Sequence, residues 1–104
     1  MCSSDLGGAT TAVGSTYNHS ARLYGKMIDA WKAGRIVEAR ALAAKSVAMV
    51  RAMVPGGVVA NQKALLSTRG IPLGPPRPPL VAATREAGEA LAARFDAEIG
   101  RAHV

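Results

Sequence analysis

Five of the six prolines in this chain fall within one short segment, Ile71–Leu80. Proline has no amide hydrogen and its ring clashes with the preceding helical turn, so the segment is expected to be extended. Further breaks are predicted at Gly34, at Pro55-Gly56-Gly57 and at Gly70. The chain is therefore divided into short elements and cannot form one long helix.

Apolar residues recur at helical spacing between these breaks. The predicted helices are Ala21–Ala33, Ile36–Met53, Val58–Arg69 and a last helix that ends near Ala97. Ser20 and Thr84 are the expected N-caps of the first and last of them. The first helix is expected to bury Leu23, Met27, Ala30 and Trp31. The second is expected to bury Ile36, Ala39, Ala43, Val47, Val50 and Val54.

One β-strand is predicted before the helices, at Thr10–Val13, because this run is short and β-branched and is followed by glycine. Gly14–His19 then reads as a polar loop. A strand, a loop and a helix form a βα unit, and in a parallel barrel that loop faces the active site. We therefore expect a mainly α fragment: residues 7–34 form the last βα unit of a (β/α)8 TIM barrel, and residues 35–97 form a C-terminal helical extension.

The two ends of the chain are predicted to be encoded by a ligated sequencing adapter. The DNA sequence GTGTGCTCTTCCGATCT can encode Met1–Leu6, and its reverse complement lies within GAGATCGGAAGAGCACACGTC, a sequence that can encode Glu98–Val104. On this interpretation residues 1–6 and 98–104 are foreign, and the natural segment lacks both of its true termini.

Charge and cysteine content exclude several classes of function. The net charge is +6, but the basic residues are scattered singly and aromatic residues are few, which favours a solvated enzyme surface over a nucleic-acid interface. Cys2, at the predicted foreign end, is the only cysteine, so disulfides and cysteine-based metal sites are not expected. This fits a cytoplasmic protein. No apolar run approaches the roughly 20 residues of a membrane span.

Three motifs, in order, resemble the N-acetylneuraminate lyases. Gly8–Asn18, which contains Gly14-Ser15-Thr16-Tyr17-Asn18, is similar to the eighth strand and following loop of these enzymes. The pentapeptide distinguishes them from the related dihydrodipicolinate synthases. Gln62-Lys63-Ala64 and Gly70–Leu80 are similar to the late helix and proline-rich crossing segment of the same superfamily.

The resemblance implies a barrel enzyme of the pyruvate-dependent aldolase class, usually a homotetramer, that acts on a sugar acid and pyruvate. In this class a barrel lysine forms a Schiff base, a tyrosine shuttles the proton, and no metal or other cofactor is needed. Neither catalytic residue is expected in this chain, so the fragment should be inactive alone. The one site residue that the resemblance implies here is Ser15, which would contact the polyol end of the opened sugar.

Other interpretations remain open on the residues alone. Ser15 could be an ordinary turn residue, and His19 an ordinary loop histidine. Lys63 is expected on a helix as a surface or interface lysine and not as the Schiff-base lysine. Ile71–Leu80 could bind a proline-reading domain. The chain could thus be a small basic helical module that binds acidic or proline-reading partners, or a fragment of a related dihydrodipicolinate synthase or 2-keto-3-deoxy sugar acid aldolase.

Overall fold

A computed structural model describes residues 8–98, which fold into a mainly helical structure. The helices are α1 (Tyr17–Lys32), α2 (Ile36–Met53), α3 (Val58–Thr68) and α4 (Arg85–Glu98). The predicted bounds of α2 are confirmed, and those of α3 and α4 differ by one residue. The predicted adapter-encoded ends lie outside the described residues, apart from Glu98 at the end of α4.

The predicted helix breaks are also confirmed. Gly34 and Gly70 have φ angles of 75° and 85°, in the left-handed region where glycine is favoured. Thr84 caps α4, because its Oγ1 accepts a hydrogen bond from the amide of Ala87 at 3.1 Å. Within residues 8–98, no single helix has the length and apolar character needed to cross a membrane. Taken together, α2 and α3 would be long and apolar enough, but they are bent by 103° relative to each other.

The predicted strand at Thr10–Val13 is wrong for this chain. These residues form no regular element, and Val13 is fully exposed. A strand of a parallel barrel takes its hydrogen bonds from neighbouring strands, and the part of the chain that the structure describes supplies none. With no partner, the β-branched side chains alone cannot hold this segment in a sheet.

The start of α1 also differs from the prediction. The helix begins at Tyr17 and not at Ala21, and it bends at Ser20, whose φ and ψ of −135° and 28° are not helical. Ser20 does not cap the helix through its side chain, because its Oγ donates a hydrogen bond to the sulfur of Met49 at 2.9 Å. A contact with α2 has therefore taken the place of the expected local cap.

Two helical pairs, α1 with α2 and α3 with α4, share one core. The α1 stripe is confirmed, since Leu23, Met27 and Ala30 are buried and Trp31 is half-buried. The core cluster draws on all four helices and consists of Leu23, Met49, Met53, Leu65, Leu91, Ala92 and Phe95. The second half of the described chain is thus held to the first through the end of α2.

The predicted buried face of α2 is largely wrong. Ile36, Val47, Val50 and Val54 are exposed, and the buried residues of this helix are Ala39, Met49 and Met53. Apolar residues surround most of this helix, so their period cannot identify the face that packs. The three valines lie beside the buried face, and no segment among residues 8–98 covers them.

Gly88 lets α3 and α4 approach closely. A Cβ atom at this position would lie 2.9 Å from the Cβ of Ala64 and 3.1 Å from its carbonyl oxygen. Those atoms belong to a short side chain and the backbone, which cannot move aside as a flexible side chain could. Gly25, on α1, has no such neighbour within 4 Å.

Alanine substitutions at these two helical glycines should have opposite effects on stability. Gly25→Ala should raise the free energy of unfolding by roughly 0.5–1 kcal/mol, since alanine loses less backbone entropy on folding. Gly88→Ala has the same helical advantage but overpacks the α3–α4 crossing, which costs about 1–3 kcal/mol. Urea unfolding followed by circular dichroism should therefore give a higher midpoint for Gly25→Ala and a lower one for Gly88→Ala. Stabilisation by both would contradict the close crossing.

Candidate substrate-contacting site

The pentapeptide that carries the resemblance forms a tight turn at the start of α1. The amides of Tyr17, Asn18 and His19 donate to the carbonyl oxygens of Gly14, Ser15 and Thr16, each at 3.3 Å. The last three residues of the predicted polar loop, Tyr17–His19, therefore belong to α1. The loop is three residues shorter than predicted. The turn is short because each amide finds an acceptor three residues earlier in the chain.

Ser15 is exposed on this turn and is held by a residue distant in sequence. Its Oγ accepts a hydrogen bond from Nε2 of Gln62 at 3.2 Å. Gln62 is buried in α3, with 8% of its surface exposed. The hydroxyl therefore faces solvent on one side and a buried amide on the other. The pentapeptide predicted a turn at Ser15, but no local pattern indicates that Gln62 is its hydrogen-bond partner.

Two tyrosines support the turn from the side of α1. The hydroxyl groups of Thr16 and Tyr24 are 2.8 Å apart and share a hydrogen bond. The rings of Tyr17 and Tyr24 meet edge to face, with centroids 4.8 Å apart and planes at 73°. Gly14 lies against the Tyr17 ring, where a Cβ would be only 3.0 Å from Cζ. Thr16 and Tyr17 therefore shape the turn that presents Ser15.

A groove of about 600 Å³ runs between residues 8–12 and one face of α1. Its lining on the helix is mainly apolar or aromatic and comprises Tyr17, Ala21, Tyr24, Gly25, Ile28 and Lys32. Ser15 is not part of this lining. The exposed hydroxyl of Ser15 therefore lies outside this groove.

His19 directly follows the motif and is buried, with 2% of its surface exposed. Its Nδ1 is 2.8 Å from Ser20 Oγ, and that hydroxyl already donates its hydrogen to Met49. Nδ1 is therefore the donor, and Nε2 is a buried acceptor that has no hydrogen-bond partner among residues 8–98. Burial lowers the pKa of His19 from 6.5 to about 4.

The expectation of a loop histidine is wrong, since His19 belongs to α1 and to the packed interior. Its ring is tilted against Phe95 of α4, with centroids 6.0 Å apart. One signal could have identified this role: His19 precedes Leu23 by four residues, so it continues the apolar stripe of α1. A neutral, packed histidine supports the turn mechanically and is not placed for proton transfer.

Lys63 lies on α3, which confirms the expected position of this lysine on a helix. Its Nζ donates to the carbonyl oxygen of Leu73 at 3.4 Å, which connects α3 to the non-helical proline-rich segment. Lys63 also lines a groove of about 740 Å³, together with Pro76 and the start of α4. Among residues 8–98, no three His, Cys, Asp or Glu side chains are grouped so that they could hold a metal ion.

Comparison with known proteins assigns the chain to a family. Residues 2–98 match the Dihydrodipicolinate synthetase family. N-acetylneuraminate lyase from Rhizobium meliloti (strain 1021) is 40% identical over 87 residues, which are 77% of this chain and 29% of that protein. 4-Hydroxy-tetrahydrodipicolinate synthase 1 from Streptomyces coelicolor is 34% identical over 90 residues, which are 85% of this chain and 30% of that protein.

The fold is similar to that of solved enzymes in the matched region. Proteus mirabilis N-acetylneuraminate lyase superposes with a TM-score of 0.80 at 37% sequence identity, over 88% of this chain and 31% of that structure. The chain thus spans less than a third of the length of the proteins it matches. Within the matched residues the chain therefore shares the helical fold of that enzyme.

Proposed function

The chain belongs to the dihydrodipicolinate synthetase family, and on that premise we propose that its intact parent is a Schiff-base aldolase that cleaves N-acetylneuraminate. The observation that carries this proposal is the motif Gly14–Asn18, folded as a turn with the Ser15 hydroxyl exposed. The similarity to N-acetylneuraminate lyases supports the same substrate. The similarity to a synthase at 34% identity favours a second candidate, a related pyruvate-dependent aldolase.

The proposed contribution of this chain is binding and not bond cleavage. In the parent, a lysine and a tyrosine of the preceding barrel strands would form the imine and move the proton. Thr10–Val13 would become the last strand once neighbouring strands supply its hydrogen bonds. Ser15 would then stand at the active-site end of the barrel and bind a hydroxyl of the sugar chain. We extend the proposal to a cytoplasmic homotetramer, as is usual for this class.

The chain by itself should not react with pyruvate. Lys63 is on a helix and donates to the backbone of Leu73, so it is not a free amine at a strand end. Borohydride treatment with pyruvate should leave the mass of the chain unchanged, as measured by intact mass spectrometry. A pyruvyl adduct on Lys63 would mean that the catalytic amine lies in this chain after all.

A chimera tests the proposed function directly. Residues 8–98 would replace the matching part of the Rhizobium meliloti lyase, and pyruvate trapping on the lysine of that enzyme would verify that its barrel has folded. We expect Ser15→Ala to lower kcat/KM for N-acetylneuraminate roughly two- to twelvefold, the effect of one lost hydrogen bond. Pyruvate trapping should be unchanged, because the serine would contact the far end of the sugar.

Ser67→Ala is the matched control for this experiment, since Ser67 is an exposed serine on α3 bonded to its own helix at Lys63. This substitution should leave kcat/KM for N-acetylneuraminate and pyruvate trapping unchanged. Equal damage by Ser15→Ala to sugar cleavage and to pyruvate trapping would indicate a purely structural turn. Efficient pyruvate trapping without cleavage of N-acetylneuraminate would overturn the proposed substrate and favour the second candidate.

A further inference from the structure

The only side chain seen bonded to Ser15 among residues 8–98 is the buried amide of Gln62, 47 positions later in the chain. The contact joins the turn before α1 to the first half of α3. An exposed serine hydroxyl would ordinarily rotate among three staggered positions. A hydrogen bond from a buried, fixed donor selects among those positions. The state of this hydroxyl is therefore set by a residue outside the motif that identifies the site.

Gln62 is itself held in place by its neighbour in sequence. The side-chain amide of Asn61 donates to the carbonyl oxygens of Met53 at 2.7 Å and of Pro55 at 2.6 Å. These bonds attach the start of α3 to the end of α2. The donor that reaches Ser15 thus projects from a helix whose start is anchored to the core, and it can hold the hydroxyl without moving toward it.

The direction of the hydrogen bond decides what Ser15 can offer. Gln62 Nε2 is a donor only, so it occupies a lone pair of Oγ and leaves the hydroxyl hydrogen for another acceptor. We propose that Gln62 is a positioning residue that turns the Ser15 hydroxyl into a hydrogen-bond donor toward an oxygen of the sugar chain. This inference rests on the proposed function, because it concerns the same substrate contact.

The contact can be tested in the chain as it stands. In an NMR spectrum of the 104-residue protein, Ser15→Ala should shift the side-chain amide resonances of Gln62, whereas Ser67→Ala should not. Unchanged Gln62 amide resonances in the Ser15 variant would overturn the contact, and the positioning role with it. This arm requires no enzymatic activity, so it tests the contact on which the role depends even if the chimera does not fold.

The role can be tested in the chimera with three substitutions. Gln62→Met keeps the length of the side chain and removes the donor, so kcat/KM for N-acetylneuraminate should fall roughly two- to tenfold, with pyruvate trapping intact. Gln62→Met combined with Ser15→Ala should be no worse than Ser15→Ala alone, because the amide would act only through the hydroxyl. A purely structural role for Gln62 predicts additive losses instead.

Gln62→Glu supplies a readout that packing alone would not change. An ionised carboxylate accepts the Ser15 hydrogen and reverses the bond, so at neutral pH this variant should be worse than Gln62→Met. A protonated carboxyl can donate again, so activity relative to the unsubstituted chimera should recover as the pH falls through the pKa of the introduced group. Full activity of Gln62→Met would overturn the inference while the lyase function stands. So would a Gln62→Glu variant whose relative activity does not recover as the pH falls. An unsubstituted chimera that traps pyruvate but cleaves no N-acetylneuraminate would overturn the function and the inference together.

Discussion

Lowering the pH from 7 to 5 is expected to reduce the free energy of unfolding of this chain by about 2 kcal/mol, through His19 alone. The pKa of His19 is about 4 in the folded chain because burial disfavours its charged form, against 6.5 for an exposed histidine. Between these two values the unfolded chain binds more protons than the folded chain. Stability therefore rises with pH across this window, and the His19 contribution is complete only above about pH 6.5.

The control for this prediction is His19→Leu, which places an apolar side chain at the buried position and removes the titrating imidazole. Both proteins would be unfolded with urea at pH 7, 6 and 5. As the pH falls, the free energy of unfolding should decrease steeply for the unsubstituted chain and much less for the variant. Carboxyl groups titrate mainly below pH 5 and are common to both proteins. The same pH dependence in both would show that His19 is hydrated and titrates normally.

Phe95→Ala is expected to have the largest effect of any substitution considered, a loss of about 3–5 kcal/mol of stability. Phe95 is only 6% exposed, belongs to the core cluster and covers the ring of His19. Truncation would remove the apolar contacts and leave a cavity that α4 cannot close without shifting. Phe95→Leu retains most of the volume and should cost less than about 1.5 kcal/mol.

Thermal unfolding followed by circular dichroism measures both Phe95 variants against Val37→Ala, a control at an exposed position of α2. From most to least stable, the expected order is Val37→Ala, Phe95→Leu and Phe95→Ala. Phe95→Ala should also raise the pKa of His19 toward 6.5 by admitting water, which an NMR titration of the ring would detect. A small effect on both quantities would mean that α4 does not pack on α1 as described.

The outcome at Ser15 shows how far sequence reasoning could identify the candidate site. The motif placed this serine at a turn before a helix, and the structure has it exposed there. Its partner Gln62 could not be predicted, because the two lie far apart in sequence and meet only when α3 packs beside the start of α1. For His19, the spacing from Leu23 was a usable signal of burial, but its ring contact with Phe95 of α4 could be known only from the tertiary structure.

Local interactions explain what the sequence by itself determined: the helix ends at Gly34 and Gly70, the Thr84 cap and the absence of helix from the proline-rich segment within the described residues. Each follows from backbone sterics or from hydrogen bonds within a few residues. Tertiary structure alone decided which face of the all-round apolar α2 is buried, why Ser20 bonds to Met49 and why Thr10–Val13 is no strand. Those outcomes depend on partners distant in the chain, or on strands that residues 8–98 do not contain, and no local pattern specifies them.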